Sequence, residues 1–213
     1  MNFRISGGNI IRIAFVVLGL VMIVVAFTHM DKPEEDPTTV SNEFYTQEPV
    51  SFTITPPTME QTMICAVING DESAGKIAGE EIGVDYKDLR WLAKIMAAES
   101  GPDWPDWAVM AIGEVVLNRV KSPDFPGSIQ AVLTQLEPAI QYEPVHSQGW
   151  TDIHPTYHQV ELAIRLLSGE RVLEDEAVVW QALFPQGDEV VCTYYDSDLD
   201  TTTYFCAERG GEE

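Results

Sequence analysis

Residues 91–104, WLAKIMAAESGPDW, decide how the rest of the chain is interpreted. They are typical of an apolar helix that carries one carboxylate, Glu99, and ends at Ser100-Gly101-Pro102. A carboxyl group on an apolar helix face is desolvated, and desolvation favours the neutral acid. The residues that share its three- and four-residue spacing are Leu89, Leu92, Ile95 and Met96.

Glu99 is therefore our candidate catalytic acid. A carboxylic acid that stays neutral near pH 7 can protonate a leaving oxygen, as glycoside cleavage requires. The alternative is a buried structural Glu that is held by a core Arg or by a helix N-terminus. The pattern alone leaves both interpretations open.

The charge of the chain excludes one class of partner. Its 213 residues carry 34 acidic and 12 basic side chains, for a formal net charge of -22. Binding a polyanion needs a positive surface, so we expect no nucleic acid partner. A neutral or cationic partner, or simple solubility outside the cell, fits this composition better.

The N-terminal residues 1–30 are typical of a membrane anchor. Residues 13–27, IAFVVLGLVMIVVAF, are uninterrupted apolar sequence, and with Ile10, Ile11 and a snorkelling Arg12 about 19 residues are available to span a bilayer. Positive residues precede this run and acidic residues follow it. We therefore expect a single-pass protein of the cell membrane, with a cytoplasmic N-terminus and an extracytoplasmic catalytic domain. A cleaved signal peptide is the alternative, although no clear cleavage site follows.

Four segments follow from this organisation: the stub and anchor at 1–30, an acidic Pro/Thr-rich linker at 31–84, a catalytic domain at 85–209 and a tail at 210–213. Within the linker, residues 63–68 could form an edge strand or a docking segment. In the domain we expect four helices and then a small C-terminal β-hairpin region, a mainly α (α+β) fold. Residues 137–154 are irregular and polar and form a candidate functional loop within the helical series, and Tyr157 is expected to face inward on the helix that follows. Cys192 and Cys206 flank this hairpin and could form a disulfide, although sequence spacing does not fix their distance.

Several motifs resemble the spore cortex-lytic cell-wall hydrolases (the SleB type). The resemblance runs from about Leu89 to Cys206. Its matching pieces are Ala98-Glu99, Val116-Leu117-Asn118-Arg119-Val120, Ser122-Pro123-Asp124-Phe125-Pro126, residues 129–133 and Gln141-Tyr142. The sequence departs from the family directly after Glu99, where Ser100-Gly101-Pro102-Asp103 replaces the usual Ala-Arg-Gly-Glu.

The resemblance implies a lysozyme-like helical fold and peptidoglycan glycan strands as the substrate. It implies a lytic transglycosylase that cleaves between N-acetylmuramic acid and N-acetylglucosamine, with Glu99 as its single acid and base. No cofactor is implied. The residues that we expect to bind substrate are Ser100, Asn118, Gln141, Tyr142, Gln181 and Phe184, with Trp150 and Trp180 as further aromatic candidates. Asn118 could instead be a core residue that holds the loop after Glu99, and we expect Arg119 to pair with an acid on a neighbouring helix.

Three alternatives remain open at this point. A hydrolytic muramidase would need a second carboxylate, for which Asp103, Asp106, Glu143 and Asp152 are candidates. A zinc site near His154 and His158 is disfavoured, because Pro155 places His154 at a helix cap and no HExxH motif is present. Finally, the altered residues after Glu99 leave open a wall-binding or assembly protein that no longer cleaves.

Overall fold

A computed structural model describes residues 55–209, which are mainly helical and end in a small antiparallel sheet. This confirms the predicted mainly α fold with a C-terminal β region. The helices are α1 (Met59–Asn69), α2 (Glu72–Ile82), α3 (Tyr86–Glu99), α4 (Asp106–Lys121), α5 (Ile129–Leu133), α6 (Glu143–His146), a 3-10 helix (Gln148–Asp152) and α7 (Tyr157–Leu167), and the strands are β1 (Val178–Ala182), β2 (Glu189–Asp196) and β3 (Thr201–Ala207).

The predicted membrane segment at 1–30 and the tail at 210–213 lie outside the described residues. Within residues 55–209, every helix is too short or too polar to cross a membrane.

The prediction of a linker is wrong for residues 59–82, which form α1 and α2. Thr58 and Gln61 make a capping box that starts α1, and Gly70 ends the helix in the left-handed conformation at φ 72°. Met63, Ile64 and Val67 are buried on one face of α1 and join the core. Residues 63–68 therefore lie within a helix and not in an edge strand, and the prolines before Thr58 obscured its capping signal.

The core forms where α3, α4 and α7 pack together. Gly113 of α4 lets the helices approach, since a Cβ there would lie 2.7 Å from Leu166 Cδ1 and 2.8 Å from Met96 Sδ. All four predicted apolar residues of the α3 stripe are fully buried. Tyr157, which we expected to face inward from α7, is 45 % exposed because the helix begins there, outside the packed face.

The predicted hairpin is confirmed, and a third strand completes the sheet in the order β1-β3-β2. A register shift between Val190 and Cys192 places Cys192 opposite Phe205, while Cys206 lies opposite Val190. Because the two cysteines are not direct cross-strand partners, the sheet does not by itself bring their sulfurs together. Both are free thiols, so the predicted disulfide is not present in the structure.

Candidate active site

Glu99 is the last residue of α3, where a buried helix face reaches the surface. Its side chain is half-buried, and burial raises the pKa of its carboxyl group above the ordinary value. The nearby Glu143 carboxylate raises this pKa further. Within residues 55–209 no cation or hydrogen-bond donor offsets these two effects. The alternative of a structural Glu held by a core Arg therefore has no support here, and Glu99 as the catalytic residue remains a prediction.

Glu143 and Tyr142 come from the segment 137–154, which we expected to be an irregular functional loop. The segment contains α6 and the 3-10 helix, and α6 lies against α3. Tyr142 is buried, and its Oη atom has no hydrogen-bond partner in the described part of the chain. Burial, and more weakly the Glu99 carboxylate, raise the pKa of Tyr142, whereas Arg119 lowers it. The structure thus brings Tyr142 and Glu143 to Glu99.

The loop after Glu99 is held by the tip of the β2–β3 hairpin. Trp104 Nε1 donates a hydrogen bond to Asp196 Oδ2 at 2.7 Å, and the Trp104 ring packs on Tyr194 with centroids 4.5 Å apart. Gly101 is required at this point, because a Cβ there would lie 2.7 Å from the Trp104 ring. This chain therefore fixes the position of its unusual SGPD loop with a contact 92 residues distant in sequence.

Ser100 ends α3, and its hydroxyl group is already engaged inside the protein. Oγ donates to the Met96 carbonyl oxygen at 2.7 Å and accepts from Gln159 Nε2 at 3.4 Å. These bonds tie the end of α3 to α7. In this arrangement Ser100 positions Glu99, and its predicted contact with substrate would have to compete with both bonds.

Arg119 joins the predicted glutamine-tyrosine pair to the sheet. We expected it to pair with an acid on a neighbouring helix, and this is wrong. The guanidinium group donates instead to the Val179 carbonyl oxygen at 2.6 Å and to Gln141 Oε1 at 3.3 Å. Its Cζ also lies 5.1 to 5.2 Å from the centroids of three rings, which belong to Phe125, Tyr142 and Trp180.

Asn118 is 1 % exposed and lies beneath β1. Its Nδ2 atom donates to the carbonyl oxygens of Val178 at 3.1 Å and Asp175 at 3.5 Å. We considered that it could hold the loop after Glu99, but it holds the start of β1 instead. Asn118 and Arg119 together therefore attach β1 to the end of α4.

The remaining predicted substrate residues lie on and after β1. Gln181 is half-buried with an Oε1 atom that lacks a partner in the described chain, and Phe184 is 61 % exposed. Trp180 donates from Nε1 to Glu208 Oε2 at 2.6 Å and meets Phe125 edge-on. Trp180 lies beside Arg119, whereas Trp150 lies elsewhere and stacks on Trp91.

Asp103, Asp106 and Asp152 interact with groups other than Glu99. Asp106 pairs with His158, whose Nε2 is 2.8 Å from Asp106 Oδ1, and also with Arg165. Asp152 acts on Lys94, and Asp103 on Tyr194. Within residues 55–209 no three His, Cys, Asp or Glu side chains are grouped as they would be around a metal ion. Of the four candidates, the structure brings Glu143 to Glu99.

Sequence reasoning missed one buried carboxylate, Glu114 in the middle of α4. It is 1 % exposed, and its Oε2 accepts hydrogen bonds from the backbone nitrogens of Val172 at 2.7 Å and Leu173 at 3.0 Å. A charged residue amid AIGEVV was the available signal, because a helix that is apolar on nearly all sides must bury it. Glu114 holds the segment between α7 and β1.

Comparison with known proteins adds one finding. A family model described as Cell Wall Hydrolase matches residues 105–184. The match supports the cell-wall hydrolase family and implies a peptidoglycan-degrading enzyme. It covers α4 through β1, including Asn118 and Arg119, and begins six residues after Glu99. No curated protein and no solved structure matches the chain at a significant level.

Proposed function

We propose that this chain cleaves peptidoglycan glycan strands between N-acetylmuramic acid and N-acetylglucosamine, with Glu99 as the acid and base of a lytic transglycosylase. The observation that carries the proposal is the environment of Glu99. Desolvation and a neighbouring carboxylate both favour its protonated form, and no donor within residues 55–209 counteracts them. A protonated carboxyl group at the protein surface can supply a proton to a sugar oxygen.

The reaction needs one carboxyl group. Glu99 donates its proton to the glycosidic oxygen as the bond from that oxygen to C1 of the muramic residue breaks. The Glu99 carboxylate then accepts the proton of the muramic 6-hydroxyl group, whose oxygen bonds to C1. The products are a 1,6-anhydro end and a free 4-hydroxyl group, and Glu99 is again protonated.

Glu143 supports a second candidate, a hydrolytic muramidase. Its exposed carboxylate is close enough to raise the pKa of Glu99. In this mechanism Glu99 protonates the leaving oxygen, and Glu143 accepts a proton from the water that attacks C1. The transglycosylase product carries an anhydro ring, and the muramidase product carries a reducing end.

Product analysis tests both candidates. The full-length chain, solubilised in detergent, is incubated with purified peptidoglycan, and the soluble products are identified by mass spectrometry. Anhydromuropeptides that disappear in Glu99→Gln and persist in Glu143→Gln support the transglycosylase. Reducing muropeptides that need both carboxylates establish the muramidase instead. Binding to insoluble peptidoglycan with no product from any wall type rejects catalysis and leaves a wall-binding or assembly protein.

We also propose that residues 1–30 anchor the enzyme in the cell membrane, with its catalytic domain outside and its activity directed to wall remodelling. The uninterrupted apolar run at 13–27 and the positive residues before it support this orientation. Protease added to intact spheroplasts should digest the catalytic domain and leave the N-terminus protected. Release of the intact domain into the medium would instead show a cleaved signal peptide.

A further inference from the structure

A groove lined by tryptophan and cationic side chains runs along α3, separate from the residues that surround Glu99. We call it the α3 groove, and it is lined by Arg90, Trp91, Lys94, Trp150 and Thr151 around a cavity of about 220 Å³. A second cavity of about 210 Å³ shares three of these residues and continues to His154 and Pro155. The two cavities therefore form one extended depression.

The floor of the α3 groove is aromatic and fixed in place. The rings of Trp91 and Trp150 stack with centroids 5.4 Å apart and an interplanar angle of 28°. Lys94 Nζ lies 4.4 Å from the centroid of the Trp150 ring and donates to the Trp150 carbonyl oxygen at 2.5 Å. The two faces that stack on each other are covered, so a sugar ring can meet only the exposed parts of the two indoles. Aromatic side chains commonly line such concave sites.

The charge of the α3 groove is opposite to that of the protein. The chain carries a net charge of -22, and in residues 55–209 the Lys and Arg side chains that form ion pairs with carboxylates are Lys76, Lys121, Arg165 and Arg209. Neither Arg90 nor Lys94 forms one within that range. Asp152 and Glu72 lie near enough to act on these two cations, but at longer range. An acidic protein thus holds two cations without a carboxylate partner beside its tryptophan pair. Arg90 is exposed, whereas Lys94 is 8 % exposed and its ammonium group already donates to the Trp150 carbonyl oxygen.

The α3 groove and the Glu99 site are built from the same two segments. Trp91 and Glu99 lie eight residues apart on α3, about 12 Å along the helix axis. Glu143 of α6 lies near Glu99, and Trp150 of the following 3-10 helix stacks on Trp91. An eight-residue step also turns the helix by about 80°, so Trp91 and Glu99 lie on adjacent faces of α3. A ligand that reaches both sites must be long enough to pass from one face to the other.

We propose that the α3 groove binds a sugar residue that carries a carboxylate, on the same glycan strand that Glu99 cleaves. The sugar ring packs on the exposed parts of the stacked Trp91 and Trp150, and the carboxylate pairs with the exposed Arg90. The buried Lys94 adds positive charge at the same place. This inference rests on the proposed function for the identity of the strand. In peptidoglycan the carboxylate has two sources, the lactyl group of muramic acid and the attached stem peptide.

Binding of defined glycans to a cleavage-deficient chain tests the proposal. The full-length Glu99→Gln chain, in detergent, is titrated with three probes of equal sugar number: peptide-bearing glycan strands, strands stripped of peptide, and neutral chitin oligosaccharides. Arg90→Gln is added to this background, and Lys87→Gln serves as the matched control. Lys87 is an exposed cation of the same helix that lies outside the groove lining and is in no ion pair within the described residues.

We expect Arg90→Gln to weaken binding of carboxylate-bearing strands about tenfold, the usual size of one lost charge-assisted contact. Lys87→Gln should leave binding unchanged, and neither variant should alter binding of chitin oligosaccharides. A loss confined to peptide-bearing strands assigns the carboxylate to the stem peptide, and a loss with stripped strands as well assigns it to the lactyl group.

Equal effects of Arg90→Gln and Lys87→Gln, equal affinity for chitin and for carboxylate-bearing strands, or no binding of any strand overturns the proposal. The outcome is separable from that of cleavage. Binding that depends on Arg90 in a chain that releases no product upholds the α3 groove and rejects catalysis. Product release by the unsubstituted chain, together with no effect of Arg90→Gln on binding, upholds catalysis and rejects the α3 groove.

Discussion

Two carboxylates on neighbouring helices, Glu99 and Glu114, show how differently one side chain can be used. Glu114 lies in the middle of α4, almost fully buried, and its Oε2 accepts two backbone hydrogen bonds. Glu99 lies at the end of α3, half-buried, with another carboxylate nearby and no donor within residues 55–209. The first holds a chain segment in place, whereas the second remains available for chemistry.

The difference does not follow from burial alone. The more buried carboxylate is the one with its hydrogen bonds satisfied, as is usual for buried polar groups in folded proteins. The pKa of Glu99 is raised, because desolvation and a like charge act on it without compensation. A search for catalytic acids by burial alone would therefore have selected Glu114.

The largest expected effect is on catalysis. Glu99→Gln should lower the rate of glycan cleavage about 10²- to 10⁴-fold, the usual contribution of a general acid. The measurement is the rate of release of soluble muropeptides from purified peptidoglycan. Glu80→Gln, an exposed residue of α2, is the matched control and should retain the full rate. A Glu99→Gln enzyme that keeps its rate would remove Glu99 from the mechanism.

Substitution of Glu114 should affect stability and not catalysis. Glu114→Met should lower the free energy of unfolding by about 2 to 5 kcal/mol, because it leaves two backbone N–H groups without an acceptor. Glu114→Gln keeps an acceptor and should cost less, about 1 to 2 kcal/mol. Urea denaturation measures both values. The folded Glu114→Gln enzyme should cleave at a normal rate, and a selective loss of cleavage with unchanged stability would contradict the assigned role.

The contrast also shows which parts of the structure were accessible from the sequence. The stripe of α3, the hairpin and the position of Glu99 at a helix end follow from local periodicity and turn residues. Helices α1 and α2 were missed because a Pro- and Thr-rich context concealed a capping box at Thr58. Interpretation of a single sequence depends on composition over a window of many residues. A capping box occupies only four positions, so the surrounding prolines and threonines outweighed it.

Long-range partners account for the rest of what was missed. The bonds from Glu114 to the segment before β1 span 58 and 59 residues, and the bond from Trp104 to Asp196 spans 92. No local pattern specifies which donor meets which acceptor across such distances. For the same reason Arg119 was wrongly paired with an acid, although its partners are a strand carbonyl and Gln141.

A smaller effect, on the pH dependence of cleavage, shows whether Glu143 only shifts the pKa of Glu99 or takes part in the reaction. Its negative charge raises the pKa of Glu99, so Glu143→Gln should lower that pKa. Cleavage by a protonated Glu99 is lost as pH rises through its pKa, and this loss should therefore begin at lower pH in Glu143→Gln. The rate of muropeptide release across a pH series measures the shift. A uniform loss of rate at every pH would instead make Glu143 a direct participant.

The smallest effect is the dependence of stability on pH. Because the pKa of Glu99 is raised in the folded state, the native protein binds more protons than the unfolded chain between the ordinary glutamate pKa and the raised one. The stability contributed by protonated Glu99 is present below the ordinary value and is lost as pH rises through the folded pKa. Glu99→Gln cannot lose a proton, so its stability advantage over the unsubstituted chain should grow across this interval and then level off.

Urea denaturation at a series of pH values, from below the ordinary glutamate pKa to neutrality, measures this difference between the two chains. Glu143→Gln should shrink it, because removing that charge lowers the cost of ionising Glu99. A stability difference that is constant with pH would mean that Glu99 titrates as an ordinary glutamate. The environment that distinguishes it from Glu114 would then have no effect on its ionisation, and the proposed acid would be deprotonated at neutral pH.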